Sequence, residues 1–420
     1  MIRAAVWVLS IIVLGGCAAG QTVSPARREP SPGRASSACL LTAKPALRKQ
    51  AIGWHLFDVT VLSQIEQGFH PGRVGRRLTG SPLPARNFSD GTVADSSFFA
   101  NRDIAKLTPD EVRLGPTQPS QLATPPFTIT KIKDEGKTAG FFVTDATGQR
   151  FLLKLDIAGY PDLVTGAEVV TSKLLYLLGY YVPSYEIIEV AVEDLAVSER
   201  VEDGEEELRK TLEGRLRDGR FRASASRLLD GEVLGPFRFK QHRDCAECRA
   251  LKVACAWVNH TDTKDHNTLM VWTGTQAVGY LIDFGTSLGA DAARGPKRPC
   301  QGWHYDVDLP HATAELLTFG LHDDGCPTRE PVISQAGGRF PSAFDPRHWK
   351  PYAPNLAFEE LTEPEARWMA ARIAQVSRPQ LEAAVAAGAY HDPDDAERLV
   401  EILQRRQQAI VKAYLPEASR

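Results

Sequence analysis

The sequence has no surplus of charge of either sign: 49 Lys and Arg stand against 52 Asp and Glu over 420 residues, a formal charge of −3. No basic excess therefore points to nucleic acid, and there is no acidic tail. No internal repeat is present, which excludes solenoids and propellers. Past the N-terminus no apolar run is long enough to cross a bilayer. A single Cys-x-x-Cys stands without a second, so the paired arrangement of a structural zinc site is missing. What remains is ordinary globular composition, 43% apolar and 24% charged, enough for one large two-lobed domain or two smaller ones.

The N-terminus is distinctive. Met1-Ile2-Arg3 is a short positive start, and Ala4 to Leu14 is an apolar run too short to span a membrane comfortably. Leu14-Gly15-Gly16-Cys17 then resembles a bacterial lipobox. It implies a lipoprotein signal segment, residues 1–17, ending at the lipobox Cys, with cleavage before Cys17, lipidation of that thiol as the new first residue, and an exported protein held to the membrane of the cell envelope by lipid. The alternative is an ordinary secretory signal with an incidental Cys. Ala18 is not the Asp that favours inner-membrane retention in some bacteria, so the outer membrane is favoured. Residues 18–38, rich in Ala, Ser, Pro, Arg and Gly, read as a flexible tether. Residues 39–125 read as an ordered N-terminal extension packed on the main domain.

Six more cysteines follow Cys17: Cys39, Cys245, Cys248, Cys255, Cys300 and Cys326. An even number in an oxidising compartment permits disulfides, with pairing left open. Cys300 and Cys326 flank a loop-rich region and are the first candidates for a pair. Cys255 sits in an apolar helix and reads as a buried thiol. His242, Cys245, Cys248, His260 and His266 have ligand-like spacing, so zinc is a competing reading.

From Phe127 the periodicity sharpens. Phe127–Ile132, Phe141–Thr144 and Arg150–Leu155 read as strands separated by Gly turns, the first containing Gly136 and Gly140. A helix is expected from about Gly166 to Gly179, then strands at Pro183–Val190 and Ala223–Leu229. The charged stretch 193–220 reads as a solvated helical insertion. A helix over 247–258 leads to His260-Thr261-Asp262-Thr263-Lys264-Asp265-His266-Asn267. A hairpin at Leu269–Trp272 and Val278–Ile282 then ends on Asp283-Phe284-Gly285. Residues 286–350 read as loops with a helix near 312–320, and Thr362–Leu415 as helical with a break at Asp392-Pro393.

An Asp with an Asn five residues on, and a second Asp before Phe-Gly at a strand end, is the arrangement phosphoryl transfer from a nucleotide needs. One carboxylate orients the attacking hydroxyl; an amide and a second carboxylate hold magnesium, which prefers oxygen ligands. Lys264 lies where a cation meets the phosphate in transfer. Position by position, the first string resembles the protein-kinase catalytic loop His-Arg-Asp-Leu-Lys-x-x-Asn, and the second that fold's Asp-Phe-Gly.

Residues 127–415 therefore resemble a divergent protein-kinase-like superfamily member, closest in flavour to atypical bacterial types such as HipA and CotH. The resemblance implies an α+β, bilobed protein-kinase-like fold. Residues 126–240 would form an N-lobe of antiparallel sheet with one key helix, and residues 241–420 a mainly α-helical C-lobe. It carries Lys154 to inner-phosphate contact and Glu168 to pairing with that Lys. Asp262 becomes the base, and Asn267 and Asp283 the metal ligands. A rival explanation makes Thr165 and Glu168 a capping box; Glu186 is then the reserve partner of Lys154. Gly136 and Gly140 would frame a phosphate-cradling turn, though not the Gly-x-Gly-x-x-Gly of ordinary kinases. Thr261 replaces the usual Arg, and no Ala-Pro-Glu follows.

The leading expectation is an ATP- and magnesium-dependent phosphotransferase acting on a hydroxyl of a protein or small molecule, with no nucleic acid partner. A nucleotidyl transferase moving AMP is a close variant. A pseudokinase scaffold without catalysis is the alternative, motivated by the scarcity of ATP outside the cytoplasm.

Overall fold

The computed structural model describes residues 39–48, 83–133, 136–319, 321, 325–326 and 331–415. Cys17, the signal segment 1–17 and the tether 18–38 lie outside them. Among the described residues no helix is long and apolar enough to cross a membrane.

The extension contributes β1 (Phe88–Ser89), β2 (Thr92–Val93) and α1 (Pro109–Leu114). Next come β3 (Phe127–Ile132), β4 (Gly140–Thr144), β5 (Arg150–Leu155), α2 (Leu163–Leu178), β6 (Tyr185–Ala191), β7 (Leu195–Val197), α3 (Gly204–Leu212) and β8 (Arg220–Arg227). β9 (Glu232–Val233), α4 (Ala246–Trp257), β10 (Thr268–Trp272) and β11 (Ala277–Leu281) lead to the short pair β12 (Ala290–Asp291) and β13 (Gly295–Pro296). α5 (Leu309–Leu317), α6 (Glu363–Ala374), α7 (Arg378–Ala386) and α8 (Pro393–Tyr414) follow. The result is an α+β fold.

The six-stranded sheet runs β6-β8-β5-β4-β3-β7. Its strands form where apolar residues alternate: Phe127 and Ile129 are buried while Thr128 and Thr130 are exposed. The sheet is not wholly antiparallel, because β7 pairs parallel to β3. β7 and α3 both come from the charged stretch expected to be a solvated insertion. The physical reason is an apolar i,i+4 pair: Leu208 and Leu212 join the cluster that holds Phe141, Phe151 and Leu153. That cluster covers one face of the sheet, and α2 lies on the other.

α2 is buried at every residue but Tyr176, including the polar Glu168 and Lys173, which are held by partners on other elements. It starts at Leu163, ahead of the expected Gly166. Its N-terminal amides are met from outside the helix: the Asp156 carboxylate accepts from the backbone N–H of Asp162, Val164 and Thr165. Thr165 is thus inside the helix, and the Thr165–Glu168 capping box does not form. At the other end Gly179 takes φ +117°, and a Cβ there would lie 2.3 Å from the Phe99 ring.

The extension shares one hydrophobic cluster with α2, α4 and the C-terminal helices, through Cys39, Phe98, Phe99, Ile104 and Val112. A disulfide joins Cys39 to Cys245, the residue that caps α4, across 206 positions. Cys300 pairs with Cys326; Cys248 and Cys255 are free and buried. The helix expected at 312–320 is α5, three residues earlier, and the 362–415 stretch breaks into α6, α7 and α8.

Candidate active site

Lys154 lies on β5, pointing away from Leu153 and Leu155 and toward α2. Its ammonium donates to Glu168 Oε1 at 2.7 Å and to Asp283 Oδ1 at 3.0 Å. The Lys154 and Glu168 side chains are 6% and 1% exposed, whereas Asp283 keeps 39% of its side chain open. Burial lowers the Lys154 pKa, yet Asp283 and Glu168 outweigh it and hold the group above its ordinary value. Burial likewise pushes Asp283 up, and Lys154 reverses it, leaving the carboxyl at about 2. Glu186 is not a partner of Lys154; it accepts from the Ala123 amide.

Asp283 sits at the end of β11 with φ +62°, a left-handed conformation that Asp tolerates. The next two residues explain why the string reads Phe-Gly. Phe284 is fully buried between Tyr185 and His260, with ring centroids 5.7 and 5.6 Å away. A Cβ on Gly285 would fall 2.9 Å from Val164 Cγ1 on α2, so only glycine passes there without displacement.

The loop carrying Asp262 leaves the C-terminus of α4. Arg406 of α8 donates to the Trp257 carbonyl at 2.8 Å and the Ala256 carbonyl at 2.6 Å, meeting carbonyls that the helix end leaves open. Thr261 N–H donates to Thr286 O, and Tyr352 N–H to Thr261 O. The Asn267 amide donates to Asp262 O at 2.7 Å, and Ile282 N–H donates to Asn267 O at 3.0 Å. Asn267 is therefore seated beside both Asp262 and Asp283. Lys264 Nζ meets Asp262 Oδ2 at 2.7 Å. His260 is buried, and burial takes its imidazole down to about 4, so it is neutral near pH 7.

Asp262, Lys264 and Asp283 open into one cleft of about 360 Å³, a size suited to a small ligand. Gly136, Lys137 and Thr138 of the β3–β4 turn roof it. Gly140 does not: it lies within β4, where a Cβ would fall 2.2 Å from the Leu153 carbonyl oxygen, so its role is close strand packing. Asn267 lies behind the wall, in a smaller recess with His260 and Thr263.

Sequence reasoning missed several lining residues. Asp291, Tyr352 and Asn355 also line the cleft; Asp291 lies in the stretch read only as loop, and Tyr352 and Asn355 in residues 351–361, which carried no reading. Asp291 accepts from Tyr352 Oη at 3.0 Å, and Asn355 Nδ2 donates to Thr263 O at 3.1 Å. Lys133, at the end of β3, donates to Thr138 O and acts electrostatically on Asp283. Its only signal was a Lys just before a Gly turn.

The zinc set does not assemble. Cys245 is bound to Cys39, and the His242 ring packs on Phe98 at 4.6 Å. Among the described residues, two groupings of possible metal ligands, Cys300 with His304 and Cys326, and Cys39 with Cys245 and Glu247, each contain a disulfide whose sulfurs are taken.

No family model and no curated protein matches this sequence. Among solved structures, the chain aligns with the Helicobacter pylori proinflammatory kinase CtkA at TM-score 0.36 and 9% identity, over 67% of this chain and 94% of that one. It aligns with the Golgi casein kinase at TM-score 0.34 and 10% identity, over 86% and 90%. Overlaps of that depth do not fix a family, and the functional reading stands on the geometry of the cleft.

Proposed function

We propose that the protein is a phosphotransferase of kinase-like fold that moves the γ-phosphoryl group of ATP to a hydroxyl on a protein or small molecule, at the cell envelope. The observation that supports it is the Lys154 ammonium, bound at once to buried Glu168 and to Asp283, with Asp283 and Asp262 open to the same cleft. The envelope location rests on Leu14-Gly15-Gly16-Cys17 and on Ala18.

The residue types suit magnesium, which takes oxygen ligands: Asp283 keeps part of its carboxylate open to the cleft, and the Asn267 carboxamide, tied to Asp262 O behind the cleft wall, would be the second ligand. When bound, the ion neutralises developing charge on the phosphates. Lys154, already fixed by Glu168, contacts the inner phosphates. The turn at Gly136–Thr138 covers them with backbone amides. Asp262 orients the acceptor hydroxyl and takes its proton. The acceptor oxygen bonds to the γ-phosphorus, the bond from that phosphorus to the bridging oxygen breaks, and ADP leaves. Lys264 exchanges its contact with Asp262 for one with the phosphoryl oxygens.

The test supplies ATP labelled at the γ or the α phosphate, with magnesium, to purified protein. Label is expected from the γ position only, and Asp262→Asn is expected to lower transfer by about 10²-fold or more. Transfer of the α label would make the protein a nucleotidyl transferase. Binding of nucleotide with no transfer of either label would make it a scaffold.

A further inference from the structure

Lys297 stands between the two strings that carry the reactive groups. It follows β13 in a Gly-Pro-Lys-Arg-Pro stretch with no periodicity. Its side chain is turned inward and is 2% exposed. Nζ donates to Thr261 Oγ1 at 2.8 Å and to Thr286 O at 3.2 Å. Thr261 precedes Asp262, and Thr286 lies three residues past Asp283. Among the described residues no carboxylate lies within ion-pair distance of this ammonium, unlike Lys154 with Glu168 or Lys350 with Asp308. A buried ammonium satisfied only by neutral oxygens is costly, and a methionine of similar length would fill the same space without that cost.

We propose that Lys297 is a positioning residue for phosphoryl transfer: its ammonium cross-links the segment bearing Asp262 to the segment bearing Asp283 and holds both in one frame. The inference rests on the phosphotransferase reading. Its geometry is specific. Thr286 O accepts from Thr261 N–H and from Lys297 Nζ together, so one carbonyl is the shared anchor of both segments. The Arg339 guanidinium in turn donates to Lys297 O at 3.0 Å, which fixes the backbone that presents the ammonium.

The charges around Lys297 set a pH signature. Burial pulls its pKa down to about 7; Asp291 on β12, Asp262 on the catalytic loop and Asp306 push it up, and Arg406 on α8 pulls it down. The Tyr352 ring lies 5.9 Å from Nζ. The ammonium is present below about pH 7 and is lost as pH rises through that value, weakening the cross-link. An arginine keeps its charge across this range.

The experiment compares the full-length parent, Lys297→Met and Lys297→Arg for kcat, nucleotide KM, thermal midpoint and the pH profile of kcat. Lys297→Met is expected to lower kcat by about 10²-fold through misplacement of the reacting groups. Its nucleotide KM is expected to change by about threefold at most, because phosphate contacts are untouched. Its thermal midpoint is expected to equal or exceed the parent's. The parent is expected to lose kcat above about pH 7, and Lys297→Arg to retain activity there. The proposal falls, with the phosphotransferase reading intact, if Lys297→Met turns over like the parent, or if parent and Lys297→Arg share one alkaline limb. It falls also if both variants lose kcat only in step with thermal stability, which marks a structural role. A parent that transfers no phosphate removes the functional reading and this inference together.

Discussion

Glu168→Gln would leave the Lys154 ammonium buried with only Asp283 as a charged partner, and Asp283 is partly open to solvent. Removing one side of a buried ion pair costs about 3–5 kcal/mol; the variant is expected to lose stability of that order in urea denaturation. Asp283 adds a pH dependence. Its folded pKa of about 2 lies below the ordinary 3.8, so its stabilising contribution is present above pH 3.8 and is lost as pH falls through about 2. Asp283→Asn is expected to flatten that acid limb in a series of melts between pH 2 and 5. At this scale the approach of Asp262 and Asp283 to one cleft was legible because the loop and the strand end that hold them are short; that Asn267 would lie behind the cleft wall was not. Lys297, Lys133 and Tyr352 were not, since a lone Lys or Tyr in a Pro-rich or turn segment has no periodicity to mark it. Only the folded chain shows what each faces.

α2 is the element on which the site depends, and both of its ends are set by other parts of the chain. Asp156 meets its first amides, and Gly179 ends it against Phe99 and the Ala100 carbonyl. Gly179→Ala must place a methyl 2.3 Å from that ring at φ +117°. Overpacking of this kind costs about 1–3 kcal/mol. Since the end of α2 is what shifts, nucleotide affinity is expected to fall along with stability, which thermal melts with and without Mg-ATP would record. β3 and β5 were legible residue for residue, because apolar residues mark each strand and a Gly turn bounds it at one end, after β3 and before β5. The start of α2 was not, as its cap comes from Asp156 outside the helix. β7 escaped because three residues within a charged run have no pattern of their own; their pairing with β3 is tertiary.

Over the whole molecule, the N-terminal extension acts as a strap. Cys39 is bonded to Cys245 at the start of α4, Leu41 bridges to Ala277 on β11, and Arg102 donates to the Tyr176 and Tyr180 carbonyls at the end of α2. It reaches α2, α4 and β11, and it meets the sheet as well, where the Ala123 amide donates to Glu186 on β6. Cys39→Ser with Cys245→Ser is expected to lower stability by about 2–5 kcal/mol, read by denaturant titration. The pairing was not legible: 206 residues separate the two sulfurs, and composition says nothing about which cysteines meet. The even count and the loop around Cys300 and Cys326 marked only the nearer pair.

Arg406 reaches back 149 residues to the Trp257 carbonyl, where the Asp262 loop begins. A ribosome that has already produced both signature strings has therefore not yet produced the group that seats them. A fragment ending anywhere between Gly285 and Arg406 carries Lys154, Asp262 and Asp283 on an unfinished foundation, and expression libraries cut by motif boundaries would return chains that lack Arg406.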